Sequence, residues 1–143
     1  MDDLSAPAND LLDLVALIIR GVAGNRDLSL TAVATLASLD RRGAQRITTL
    51  ALAEGVSQPS MTQLVQRLEQ RGLVRRESDP ADGRVALVQL TDAGQAALLA
   101  RRQRNAERIA ELLGDLPESD VQALTGALAT VLPVIRARIG SAS

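Results

Sequence analysis

The chain has 143 residues, the size of one domain on a prior of roughly 100–200 residues each. Leu, Ile and Val account for 41 of them, which is enough to build a core, but there is no Phe, Tyr, Trp, Cys or His, and all 16 basic residues are Arg. These absences exclude thiolate and imidazole metal sites, disulfides, lysine Schiff bases and aromatic platforms for stacking single-stranded bases.

The net charge of −1 conceals a partition: residues 1–40 carry −4, residues 41–104 carry +5 and residues 105–143 carry −2. A basic middle between acidic ends suggests one segment that faces a polyanion, although charges scattered over solvated faces would give the same totals. The sequence opens on Asp2 and Asp3 and its longest early apolar run is Leu14 to Ile19, so neither a signal peptide nor a membrane span is expected and the protein reads as cytoplasmic.

In chain order, residues 1–8, with Pro7, read as a polar arm. A helix is expected from about Asn9 to Ala23, since Leu11, Leu12, Val15, Ile18, Ile19 and Val22 recur at steps of three and four, while Gly21 and Gly24 weaken its end. Ser29 can cap a second helix with Val33, Leu36 and Leu39 inward and Gly43 at its stop. Thr48 can cap a short third helix, Thr49 to Glu54, which Gly55 ends. Ser57 then caps a fourth helix that has Pro59 in its first turn, runs to about Gln70 and closes at Gly72. The period next changes to that of strands over Leu73–Glu77 and Val85–Leu90, with the turn formers Ser78 to Arg84 between them: a β-hairpin with a projecting tip. Thr91 caps a long helix to about Leu113, Gly114 to Pro117 break the chain, and a last helix runs from Glu118 to Ile139. Its Val121, Leu124, Leu128, Val131 and Ile135 form a seam of alternating threes and fours, and Pro133 predicts a kink.

Three features carry function. In Ala51-Leu52-Ala53-Glu54-Gly55-Val56-Ser57 a small residue lets two helices approach, Gly permits the tight turn, Val plugs the corner and Ser opens the next helix, which is the chemistry of a helix-turn-helix; any two short packed helices could show the same spacing. On the helix that follows, Met61, Leu64, Val65 and Leu68 form the inward stripe. Gln58, Pro59, Ser60, Gln63, Gln66, Arg67 and Gln70 face out, a polar surface almost without charge at its start, able to read base edges, with Arg67 able to reach a phosphate or guanine. At the hairpin tip, Asp82 can hold Arg84 in one orientation and aim it at a narrow minor groove, although alone the pair reads as an ordinary surface ion pair. No two carboxylates stand in a paired acid–base spacing and no nucleotide-binding Gly motif occurs, so the chain does not read as an enzyme.

From Leu28 to Leu99 the chain resembles the MarR family of winged helix-turn-helix transcription regulators. The matching pieces are Leu28-Ser29-Leu30-Thr31, Ala51 to Ser57, Gln58-Pro59-Ser60, Leu68 to Arg76, Asp79-Pro80-Ala81-Asp82-Gly83-Arg84 and Leu90-Thr91-Asp92-Ala93-Gly94. The resemblance implies a mainly α fold with a small β-hairpin wing over 1–143: a winged helix-turn-helix lobe at 28–99, with 9–24 and 100–140 as dimerisation helices. It implies a triangular homodimer on double-stranded DNA, reading a near-palindromic operator and acting as a repressor released by a small-molecule effector. By position, Gln58, Pro59, Ser60 and Gln63 fall on major-groove readers, Arg67 on a phosphate or base contact, and Arg84 on the wing-tip arginine that Asp82 orients; Thr48 and Thr62 could add backbone contacts. The apolar positions of the outer helices, Leu12, Val15, Ile18, Leu124, Leu128, Val131 and Ile135, fit a dimer interface, with a self-contained bundle as the less favoured reading of the same pattern. No metal or cofactor is expected. Family members that sense peroxide through Cys or require zinc find no counterpart here, and any effector pocket must be aliphatic with Arg, Gln or Ser as polar handles. The remaining alternative is a winged helix that binds protein and not specific DNA, which salt-insensitive binding to a protein partner would reveal.

Overall fold

The computed structural model describes residues 3–22 and 27–140. Its elements are α1 (Ser5–Val22), α2 (Leu30–Arg42), β1 (Gln45–Arg46), α3 (Ile47–Glu54), α4 (Gln58–Gln70), β2 (Val74–Ser78), β3 (Ala86–Leu90), α5 (Asp92–Gly114) and α6 (Glu118–Gly140). The expected mainly helical fold with a small hairpin wing is the one that forms. Two compact units divide between Asn105 and Ala106, inside α5.

Helix starts follow side-chain chemistry where a cap is present. Ser29 Oγ accepts from the Ala32 amide at 3.1 Å to open α2, Ser57 Oγ accepts from the Ser60 amide at 3.3 Å to open α4, and Thr91 Oγ1 accepts from the Gly94 amide at 3.1 Å at the start of α5. Two starts differ from expectation. The arm read over residues 1–8 is helical from Ser5: Asp3 accepts from the Ser5 amide at 2.9 Å, and Pro7 sits in the first turn, where its missing N–H is no loss. The end of that helix, expected at Ala23 and Gly24, lies outside the described residues. The third helix begins at Ile47 with Arg46 as its cap residue and no side-chain cap bond, so Thr48 lies inside the helix and caps nothing.

The first unit has one apolar core. The α4 stripe of Met61, Leu64, Val65 and Leu68 is buried against Leu36 and Leu39 of α2, Leu50 and Ala51 of α3, and Leu73, Val74 and Val88 around the hairpin. Val33, expected inward, is only half-buried, because Ala32 and Thr35 occupy the buried side of α2. The hairpin pairs β2 with β3 antiparallel from Val74↔Leu90 to Ser78↔Ala86. A third strand not read from the sequence, β1, pairs with β3 through Gln45↔Val88 and Arg46↔Leu87, giving the order β1-β3-β2. Two residues cannot announce a strand by alternation; the pairing with β3 makes them one.

The start of α5 is seated on the hairpin. The Thr91 amide donates to the Leu73 carbonyl at 3.1 Å, and Thr91 Oγ1 donates to the Gly72 carbonyl at 2.5 Å. Gly94 lies so close that an added Cβ would stand 2.5 Å from Leu90 Cδ1 and closer still to the Leu73 oxygen.

In contrast, α1 has no buried residue, and Leu12 and Val15 are 68% and 52% exposed. In the second unit Val121 and Leu124 of α6 are half-buried, while Leu128, Val131 and Ile135 are exposed. No helix among the described residues is long and apolar enough to cross a membrane.

Candidate nucleic-acid interface

The two helices of the motif, α3 and α4, are joined by Gly55 in the left-handed region, φ 63°, a conformation that costs other residues roughly 1–2 kcal/mol. The Val56 amide donates to the Ala51 carbonyl at 3.1 Å, and the buried Ala51 keeps the corner tight. Ser57 then starts α4, and Pro59 stands in its first turn.

Gln58, Pro59, Ser60, Gln63 and Arg67 are all exposed, opposite the buried stripe of α4. The first turn contains no acidic residue, so nothing there repels a phosphate from the free N–H groups of the helix start. The Ser60 hydroxyl accepts from Ser57 Oγ at 2.8 Å, which fixes its direction and leaves its own proton to donate outward. The Thr62 hydroxyl, in contrast, donates to the Gln58 carbonyl at 2.9 Å, so its proton is already used within the helix. Arg67, one helical end away from Ser60, borders a shallow hollow with Asp27, Ser29 and Arg71. Arg71 donates there to the Asp27 carbonyl at 2.6 Å.

The wing is the β2–β3 hairpin and its tip, residues 79–85. Asp82 Oδ1 accepts from both the Arg84 amide at 3.1 Å and Arg84 Nε at 3.2 Å, while the Arg84 side chain is 92% exposed. The carboxylate therefore steers the guanidinium without covering it, and Nη1 and Nη2 remain free to point outward. Lower on the hairpin, Arg75 Nε and Nη2 hold Gln89 Oε1 across the strands at 3.2 and 2.8 Å, and Arg76 Nε stands 3.3 Å from Glu69 of α4.

Like the pair of Arg76 and Glu69, the ion pair of Arg46 and Asp79 has no signal in the sequence. Arg46 Nε and Nη2 both donate to Asp79 Oδ2, at 2.8 and 2.5 Å, while Asp79 Oδ1 accepts from the Ala81 amide at 2.8 Å. The Ala81 amide and then the Arg46 guanidinium hold the Asp79 carboxyl below its ordinary pKa. The Asx turn was legible in Asp79-Pro80-Ala81; its partner, 33 residues away, was not.

A model of the MarR family matches residues 28–86, which span the helix-turn-helix and the wing tip. The chain is 33% identical to the HTH-type transcriptional regulator Mb0904 of Mycobacterium bovis over 108 residues, 76% of each chain. Among solved structures it resembles the transcriptional regulator Tm0710 of Thermotoga maritima, with a TM-score of 0.76 at 23% identity over 96% of this chain and 99% of that one. It also resembles apo MarR of Escherichia coli, with a TM-score of 0.63 at 23% identity over 93% and 99%.

Proposed function

The chain belongs to the MarR family of transcriptional regulators, and from that premise we propose that it is a homodimeric, sequence-specific reader of double-stranded DNA. Two α4 helices would enter successive major grooves of a near-palindromic operator, about 10–10.5 base pairs apart. Gln58, Pro59, Ser60 and Gln63 would meet base edges, Arg67 a phosphate or base, and Arg84 the adjacent minor groove. The observation that carries this reading is Arg84, steered by Asp82 yet almost fully exposed, on the hairpin that follows an uncharged, Gln- and Ser-bearing helix start.

The dimer would be built on α1 and α6. Their exposed apolar side chains, Leu12 and Val15 on one and Leu128, Val131 and Ile135 on the other, are more than a lone chain leaves to water without reason. The half-buried Ile18 and Leu124 would line the same contacts. Obligate dimers commonly bury more than about 2,000 Å² of such surface. The regulator would act as a repressor, and a small effector that alters the spacing of the two lobes would release it. With no His, Cys or aromatic residue in the chain, that effector would be held by aliphatic side chains with Arg, Gln or Ser.

The test is a random-sequence duplex selection with the wild-type protein, followed by fluorescence anisotropy at several salt concentrations with Arg84→Ala alongside. Tight, salt-dependent binding that Arg84→Ala weakens, most at A·T-rich flanks, supports the reading. Equal binding by both proteins removes the wing from it. A folded monomer at micromolar concentration in a dilution series removes the dimer.

A further inference from the structure

The backbone of Arg46 belongs to the helix-turn-helix, because it is the cap residue of α3, but its side chain ends on the wing. To reach Asp79 it crosses the central strand: Arg46 is paired with Leu87 of β3, and Leu87 is paired with Glu77 of β2. Neighbouring strands lie about 4.8 Å apart, so the outer two are about 10 Å apart and only a long side chain spans them. At its end Arg46 places two donors on Asp79 Oδ2. The other oxygen takes the Ala81 amide, and the Asp79 amide donates to the Val85 carbonyl at 2.8 Å. That last bond closes the loop carrying Asp82 and Arg84. The Asp79 side chain is only 8% exposed, so an unpaired carboxylate there would be costly.

We propose that Arg46 is a positioning residue for DNA recognition: by gripping Asp79 across the sheet it fixes the direction in which the wing tip presents Arg84 relative to α4. A two-stranded hairpin is marginal on its own. Without the grip its tip would sample many directions, and the ordering would have to be supplied on binding. The inference rests on the DNA reading proposed above. The rival role, a direct phosphate contact by Arg46, has to be met because the Arg46 side chain is 45% exposed.

The test uses a duplex selected by the wild-type full chain, made in two forms with A·T or G·C pairs where the wing tip falls. Wild type, Arg46→Ala, Arg46→Lys, Asp79→Ala, Arg84→Ala and the double variant Arg46→Ala/Arg84→Ala are titrated well below their melting temperatures. Amide exchange over residues 79–85 is measured on the free proteins. Arg46→Ala and Asp79→Ala should each lose about tenfold in affinity, and the A·T preference with it, falling to the level of Arg84→Ala. The double variant should bind no worse than Arg84→Ala. The Ala81 and Val85 amides should exchange faster in Arg46→Ala and Asp79→Ala but not in Arg84→Ala. Arg46→Lys keeps the charge and the apolar stem but cannot fork two donors onto Oδ2, so it too should lose the preference, and it guards against a variant that fails to fold.

Asp79→Ala leaves the Arg46 charge in place. If that variant binds like wild type while Arg46→Ala does not, Arg46 touches DNA directly and the proposal is overturned. Additive losses in the double variant, or an unchanged A·T preference in Arg46→Lys, overturn it as well. If wild type selects no duplex at all, the DNA reading itself is wrong and the positioning role falls with it; a wild type that binds while the variants behave as just described as adverse separates the two failures.

Discussion

Gly94 sits in a close contact between the start of α5 and the hairpin, and its substitution gives a stability change whose sign can be worked out beforehand. A Cβ at this position would fall 2.5 Å from Leu90 Cδ1 and closer still to the Leu73 carbonyl oxygen. The Leu90 methyl can turn away; the Leu73 oxygen is backbone, and it accepts the Thr91 amide that docks α5. Restoring ordinary contact, about 3.5 Å, with that oxygen means parting the start of α5 from the hairpin by more than about 1 Å. Overpacking of this kind costs about 1–3 kcal/mol, and the rigidity of the opposing atom puts Gly94→Ala at the upper end. Ala is the better helix former by up to about 1 kcal/mol, which leaves a net loss of about 2 kcal/mol. At this chain length that lowers Tm by roughly 6–8 °C. Gly126, in α6, is the control, because nothing lies within 4 Å of its added Cβ. Gly126→Ala should therefore gain up to about 1 kcal/mol. Urea unfolding followed by circular dichroism, at one fixed protomer concentration so that association does not shift the midpoint, measures both. A Gly94→Ala protein as stable as wild type would refute the close-approach argument.

Ser57→Ala removes the cap of α4 and the partner of the Ser60 hydroxyl, and should cost about 1 kcal/mol in the same urea assay; a loss under roughly 0.3 kcal/mol would show that the cap bond contributes nothing. Gln63→Ala should change which bases are selected at its position without altering the slope of log affinity against log salt, whereas a slope reduced by about one per protomer would make Gln63 a phosphate contact. Asp79 predicts a pH dependence. Its folded-state pKa lies below the ordinary 3.8, so the unfolded chain takes up the proton first; its stabilisation is complete above the ordinary value and is lost as pH falls through the lowered one. The stability gap between wild type and Asp79→Asn should thus be flat near neutrality and close below pH 3.8, and a gap that widens in acid would contradict the sign.

What was legible in the sequence was local. Ser29, Ser57 and Thr91 announce helix starts because a cap needs only an oxygen and an amide three positions on. The α4 stripe is legible because one helix face sees one core. Asp82 and Arg84 are legible because two residues two apart on a turn can meet without help from the rest of the chain. The misreadings were set from a distance or by a tolerance. Residues 1–8, with Pro7, read as a polar arm, yet the helix starts at Ser5 because a first turn accepts proline. Thr48 reads as a cap, yet α3 starts at Ile47, two residues before the expected Thr49, because Arg46 is held in β1 by pairing with Leu87. The Arg46–Asp79 pair depends on the same strand order, which no local pattern encodes.

The strand order also changes the meaning of the basic middle segment. Its +5 is a sum over eleven Arg and six acids, and ion pairing leaves that sum, and hence the long-range field, unchanged. It does change which cations can touch a phosphate. Arg46 is turned to Asp79, Arg76 to Glu69, Arg75 to Gln89 and Arg71 to the Asp27 carbonyl, and Arg101 is buried. Arg46 and Arg75 each place two donors on one oxygen, a geometry that suits a planar fork and that an ammonium would meet with a single point charge. Arg41, Arg42 and Arg67 are exposed, and Arg84 is exposed while still steered by Asp82. The arginines thus include a set turned to other groups of the protein, Arg46, Arg71, Arg75 and Arg76, and a set exposed to solvent that includes Arg41, Arg42, Arg67 and Arg84. On the proposed DNA reading, steering at long range would draw on both sets, whereas discrimination at contact by Arg84 would depend on the grip of Arg46 on Asp79.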